Sequence, residues 1–143
     1  MENGKLKFLI AEDDFITALG IKQKVEELGY DVVSMVSTAL EAITRAVFEQ
    51  PNILLMDILL SGSLDGIEAA KIISYKSKIP VIFLVEDSSR ELIEKKKPEV
   101  PYSLIYKPVT HTSLKDAINN IKMSFNFPDS GSSNISNSLP YSF

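Results

Sequence analysis

The chain has 143 residues, the size of one domain, with 45% apolar and 24% charged residues and a formal charge of −4. That balance fits a globular protein and argues against wholesale disorder and against a general polyanion binder. It has no cysteine and one histidine, His111, which excludes disulfide frameworks, thiolate zinc sites, cysteine nucleophiles and His-rich metal sites. A Ser-His-Asp triad would have to run through His111. No apolar run reaches the ~20 residues of a membrane span. The start, MENGKLKFLIAEDD, carries a brief apolar run that ends in acids, unlike a signal peptide. The expectation is a cytoplasmic α/β domain.

Short apolar runs alternate with helical patterns. Leu6 to Ala11, Val32 to Val36, Ile53 to Met56, Val81 to Val85 and Leu104 to Tyr106 are continuous runs of Ile, Val, Leu and aromatics. Such runs suit strands buried on both faces of a parallel sheet. After the first run, Phe15, Ile16, Leu19, Val25 and Leu28 predict a helix stopped by Gly29. Thr38-x-x-Glu41 reads as a capping box ahead of Leu40, Ala42, Ile43, Ala46 and Val47, with Pro51 as the stop. Asp65-x-x-Glu68 reads the same way before Ile67, Ala70, Ile72 and Ile73. Ser88-x-x-Glu91 predicts a fourth helix carrying Leu92 and Ile93, ended by Pro98 and Pro101. Thr110 or Thr112 caps a fifth, with Leu114, Ala117, Ile118 and Ile121 on one face.

Five strand–helix units imply right-handed crossovers and a flavodoxin-like (βα)5 three-layer sandwich, strand order 2-1-3-4-5. Ligands in such folds bind beyond the carboxyl ends of the strands. The residues there are Glu12-Asp13-Asp14, Asp57, Val85-Glu86-Asp87 and Lys107-Pro108. Glu12, Asp13 and Asp57 converge on adjacent strands and would repel unless a cation sat between them. An all-oxygen set suits Mg²⁺. A lysine from strand 5 would balance charge and hold an anion. Carboxylates, Mg²⁺ and lysine together suit phosphoryl chemistry with a carboxylate nucleophile. Asp14 also reads simply as an acid at a helix start.

FLIAEDD, LLMDILL, LDGIEAAKII, IPVIFL and YKP, in this order and spacing, resemble the response-regulator receiver domain of two-component signalling. The resemblance spans about residues 5–122. It implies a receiver domain over 1–124 and a Ser/Asn-rich tail or linker over 125–143. It implies Asp57 as phosphoacceptor, with Glu12, Asp13, Asp57 and the Leu59 main-chain carbonyl around Mg²⁺. It implies Lys107 as the phosphoryl-binding lysine, joined to Pro108 by a cis bond. The partners implied are a sensor histidine kinase or phosphotransfer domain, a downstream protein and a second copy of the chain. Neither nucleic acid nor a membrane is expected as a partner. The module is a signalling domain rather than an enzyme, standing alone or belonging to a larger protein.

The departures fall on the switch. The family's strand-4 Thr or Ser is Val85, which has no hydroxyl, and the small residue after it is Glu86. The strand-5 aromatic is Leu104, flanked by Tyr102 and Tyr106. The common proline four residues after the acceptor is Ser61, in a loop that reads one residue longer than usual. Any output is then expected through the loop Leu59–Leu64 or through Lys107. A degenerate receiver used for phosphorylation-independent protein interaction is the alternative. A third reading, an aspartate-nucleophile phosphohydrolase, lacks its D-x-D after strand 1. His111 reads as a surface residue at a helix start, and Glu94-Lys95-Lys96-Lys97 as a solvated helix end. In the tail, Ile135, Leu139, Tyr141 and Phe143 share one parity and suggest a segment docked on an edge or groove.

Overall fold

The computed structural model describes residues 5–125 and 127. The docking expected of Ile135, Leu139, Tyr141 and Phe143 lies outside them. Strands β1 (Lys7–Ala11), β2 (Asp31–Val36), β3 (Ile53–Asp57), β4 (Val81–Val85) and β5 (Tyr102–Tyr106) alternate with five helices. The helices are α1 (Phe15–Glu27), α2 (Ala39–Glu49), α3 (Gly66–Ser74), α4 (Arg90–Lys96) and α5 (His111–Ser124). All neighbouring strands pair parallel, in the expected order β2-β1-β3-β4-β5. Every residue of β3 and β4 is buried, which is why these runs read as continuously apolar. Among the described residues no helix is long and apolar enough to cross a membrane.

The sheet divides two cores. On one face Leu54, Met56, Phe83 and Val85 meet Ala42 and Ala46 of α2, Ile67 and Ile73 of α3 and Ile93 of α4. On the other, Phe8, Ile10, Leu55 and Leu84 meet Ile21 and Val25 of α1 and Leu114 and Ile118 of α5. Phe125 and Phe127, just past the expected 124 boundary, also pack against this second core, their ring centroids 5.0 Å apart.

Three local expectations are corrected. In α1 the buried side chains are Ala18, Ile21 and Val25, while Phe15, Ile16 and Leu19 face solvent. Two apolar faces compete in this helix, and the small Ala18 allows the closer approach to the sheet. At α2, Thr38 Oγ1 accepts from Glu41 N–H, but the Glu41 carboxylate turns back one residue further, to the Ser37 N–H at 3.0 Å. Ser88 caps nothing. A 3-10 turn over Asp87–Ser89 precedes α4, and it is Ser89 Oγ that accepts from Glu86 N–H at 3.0 Å and donates to Glu86 O.

Candidate functional site

Four strand ends place the site. Glu12 follows β1 and is buried; its N–H donates to Val36 O, which fixes it against β2. Its Oε2 accepts from Asp14 N–H at 3.1 Å. Asp14 is the N-cap of α1, accepting from the N–H groups of Ile16 and Thr17, so of the two exposed acids after β1 it is Asp13 that joins the cleft. Asp57 ends β3, only 3% exposed. Its Oδ1 accepts from Leu59 N–H at 3.0 Å and its Oδ2 from Lys107 Nζ at 2.6 Å. Carboxylate oxygens of Glu12, Asp13 and Asp57 all lie within 4.8 Å of one another.

Lys107 is held by its own N–H, which donates to Val85 O at 2.9 Å, and is joined to Pro108 by the expected cis bond. Its ammonium touches Asp57, Glu12 Oε1 at 2.8 Å and Glu86 Oε2 at 3.5 Å. Burial works against this charge, but Asp57 and Glu12 outweigh it, so the Lys107 pKa is raised. Burial, with help from neighbouring Asp57, pushes the Glu12 carboxyl up to about 7, against the opposing pull of Lys107 and the Asp14 N–H. Glu12 Oε1 is buried and faces the Lys107 ammonium at 2.8 Å. Three carboxylates with oxygens within 4.8 Å of one another, two of them sharing one lysine, fit a small hard cation that keeps some of its water.

Two contacts at the site are not predicted by the sequence. Ser61 Oγ donates to Asp13 Oδ2 at 3.1 Å, so the longer loop folds back onto the acidic cluster. Glu86, which the sequence places at the end of strand 4, is a third carboxylate on Lys107. The departures from the usual proline and small residue were the available signal for both.

The family model described as the response regulator receiver domain matches residues 8–119. The chain belongs to the response regulator receiver family. It is 30% identical over 112 residues to the transcriptional regulatory protein PdtaR of Mycobacterium tuberculosis, covering 78% of this chain and 54% of that protein. It is 31% identical to the phyllosphere-induced regulator PhyR of Methylorubrum extorquens, covering 78% and 42%. The chain thus spans about half the length of these curated relatives. The receiver domain of Erythrobacter litoralis PhyR superposes with a TM-score of 0.76 at 26% identity, over 90% of this chain and 98% of that one. The signal receiver domain of a modulated diguanylate cyclase from Desulfovibrio desulfuricans gives 0.72 at 32% identity, over 83% and 98%. Phosphorylation and magnesium binding are typical of receivers.

In this receiver Val85 ends β4 and Leu104 lies in β5, and neither side chain carries a polar atom. Val85 is fully buried and paired in register with Tyr106. Leu104 is paired with Phe83 and half-buried against the α3 and α4 side of the sheet. Tyr102 meets the Phe83 ring edge-on at 5.9 Å. Tyr106 lies on the same side of the strand as Leu104 and carries the Arg90 guanidinium 4.7 Å from its ring centroid. His111 starts α5 and pairs with Glu27 at the end of α1, 2.6 Å away. The receiver has an open groove of about 440 Å³ beside Lys107, lined by Ile16, Gly20, Lys24, Pro108 and Val109 among others.

Proposed function

We propose that the chain is a phosphoacceptor signalling domain that takes a phosphoryl group from a phosphohistidine onto Asp57, with Mg²⁺ held by the acidic cluster. The observation that carries this reading is Lys107 Nζ bridging Asp57 and Glu12 at 2.6 and 2.8 Å inside a cluster of three carboxylates. An Asp57 oxygen forms the bond to phosphorus as the bond from phosphorus to the histidine nitrogen breaks, and the imidazole leaves with that electron pair. Mg²⁺, when bound, offsets the acids and draws charge from the phosphoryl oxygens. Glu12, Asp13, Asp57 and the Leu59 main-chain carbonyl would hold it. The Leu59 N–H keeps Asp57 Oδ1 oriented, and Lys107 gives the transferred group a cationic partner.

The groove beside Lys107, with exposed Phe15, Ile16 and Leu19 on α1, suits the surface of a histidine kinase or phosphotransfer domain. Such relays run in the cytoplasm, and we place the domain there. The test is mass spectrometry after incubation with a small phosphodonor and Mg²⁺. One phosphoryl group is expected on Asp57, none without a divalent cation and none in Asp57→Asn. Labelling at His111 or at a serine would overturn the assignment.

The buried, hydroxyl-free Val85 favours a second reading, an interaction module whose partner binds without phosphorylation. Equal partner affinity for the wild type and Asp57→Asn, with and without phosphodonor, would select it.

A further inference from the structure

The helix that follows Asp57 is tied to α4 by one lysine. Asp65 and Glu68 form a reciprocal capping box at the start of α3. Asp65 Oδ1 accepts from Glu68 N–H at 2.9 Å, and Glu68 Oε1 accepts from Asp65 N–H at 3.1 Å. The other oxygen of each carboxylate is taken by Lys96, in the last turn of α4: Nζ lies 2.5 Å from Asp65 Oδ2 and 2.9 Å from Glu68 Oε2. The run Glu94–Lys97 is therefore not simply a solvated helix end. The Lys96 side chain is 30% exposed and that of Asp65 only 17%, so solvent screens this contact less than an open surface pair.

The same box is wedged against the phosphoacceptor. Gly66 N–H donates to Ile58 O at 2.8 Å, and the Asp57 main-chain oxygen would be 2.2 Å from a Cβ on Gly66. A shift of the Asp57–Ile58 backbone therefore moves the start of α3. On the far side α4 is lightly held. It has seven residues, Ile93 is its buried side chain, and Leu92 is partly buried. An ammonium held by two carboxylates of one rigid helix start senses the relative position of α3 and α4, because a small displacement opens one contact or both.

We propose that Asp65, Glu68 and Lys96 form a latch that passes the state of Asp57 to α4, along a route that needs no hydroxyl at Val85. This rests on the phosphoacceptor reading of Asp57. The latch runs from Asp57 and Ile58 through Gly66 to the capping box, then through Lys96 into the last turn of α4. It gives the loop after β3 an output that the buried Val85 side chain cannot supply.

The test is backbone amide NMR of the full chain titrated with beryllium fluoride and Mg²⁺, which places an anionic phosphoryl-like group on the acceptor carboxylate. In the wild type, shifts are expected over 57–68 and over 90–97. Lys96→Met keeps the aliphatic stem and removes the charge. Glu68→Gln keeps the capping acceptor and removes its charge. Each should preserve the response over 57–68 and reduce that over 90–97 roughly twofold or more. Lys95→Met, on the exposed neighbouring position, should behave as wild type. Undiminished α4 shifts in Lys96→Met and Glu68→Gln would overturn the latch, as would a wild type that responds at Asp57 and not in α4. A wild type with no response around Asp57 would instead overturn the phosphoacceptor reading beneath it.

Discussion

Gly66 lies so close to Asp57 that the Asp57 carbonyl oxygen would be 2.2 Å from an added Cβ, with backbone carbons of Asp57 and Ile58 at 3.1 Å. All three neighbours are backbone, so no side chain can swing aside. Gly66 has no need of a left-handed φ; it is small because the strand end and the helix start touch. Gly66→Ala should destabilise the fold by about 1–3 kcal/mol through overpacking. It should also slow labelling of Asp57, because the strand end must move. Chemical denaturation and phosphodonor labelling check both. A fully stable variant labelled at the wild-type rate would contradict the contact.

Lys107 balances three carboxylates, two of them buried. Lys107→Ala should leave Glu12 and Asp57 uncompensated and lower stability in chelator by on the order of 3 kcal/mol. Added Mg²⁺ should restore more stability to this variant than to the wild type, because the cation takes over the same charges. On the proposed function, Asp57 should still accept a phosphoryl group, with weaker coupling to any downstream change. Thermal melts with and without Mg²⁺ read the first effect. Equal Mg²⁺ stabilisation of both proteins would contradict it.

The Glu12 carboxyl gives a pH window. Burial above all pushes its pKa from 4.5 up to about 7. The folded value exceeds the unfolded one, so the associated stability is fully present below about 4.5 and is lost as pH rises through about 7. In chelator, Glu12→Gln should therefore gain on the wild type between those values, by at most about 3 kcal/mol, and hold that gain above them. Urea denaturation at stepped pH is the measurement. A constant difference between the two proteins from pH 4.5 to 8 would show that the burial of Glu12 does not set its titration.

The missing hydroxyl can be put back. Val85→Thr is close to isosteric but places an O–H in a fully buried site, which costs roughly 1–3 kcal/mol while it lacks a partner. With an anionic group on Asp57 the hydroxyl gains an acceptor, so the penalty should shrink. In the wild type, beryllium fluoride should shift amides near Asp57 and, through the latch, in α4, with little change over Tyr102–Tyr106 and Leu114–Ile121. In Val85→Thr with Leu104→Tyr the shifts should extend into β5 and α5. Large wild-type shifts already present there would mean that the strand-5 face responds without either group.

The strands and the site were legible because both depend on local facts. A strand buried on both faces must be apolar throughout, so Ile53–Met56 and Val81–Val85 announce themselves. An acid or a lysine that ends such a run has one place to go, the open end of the sheet. Glu12, Asp13, Asp57 and Lys107 met there because parallel strands all end on the same side. The cap at Asp65–Glu68 was equally local, its partners three residues apart. What only the tertiary structure decided depends on distance in the chain. α1 offers Phe15, Ile16 and Leu19 as readily as Ala18, Ile21 and Val25, and only the sheet behind it selects the second set. Ser61 reaches Asp13 across 48 positions, and Glu86 reaches Lys107 across 21. Lys96 looks like any lysine in a charged run. Its attachment to Asp65 and Glu68, 31 and 28 positions away, exists because α3 and α4 share one face of the sheet. No periodicity along the chain encodes a contact made only when two helices are laid side by side.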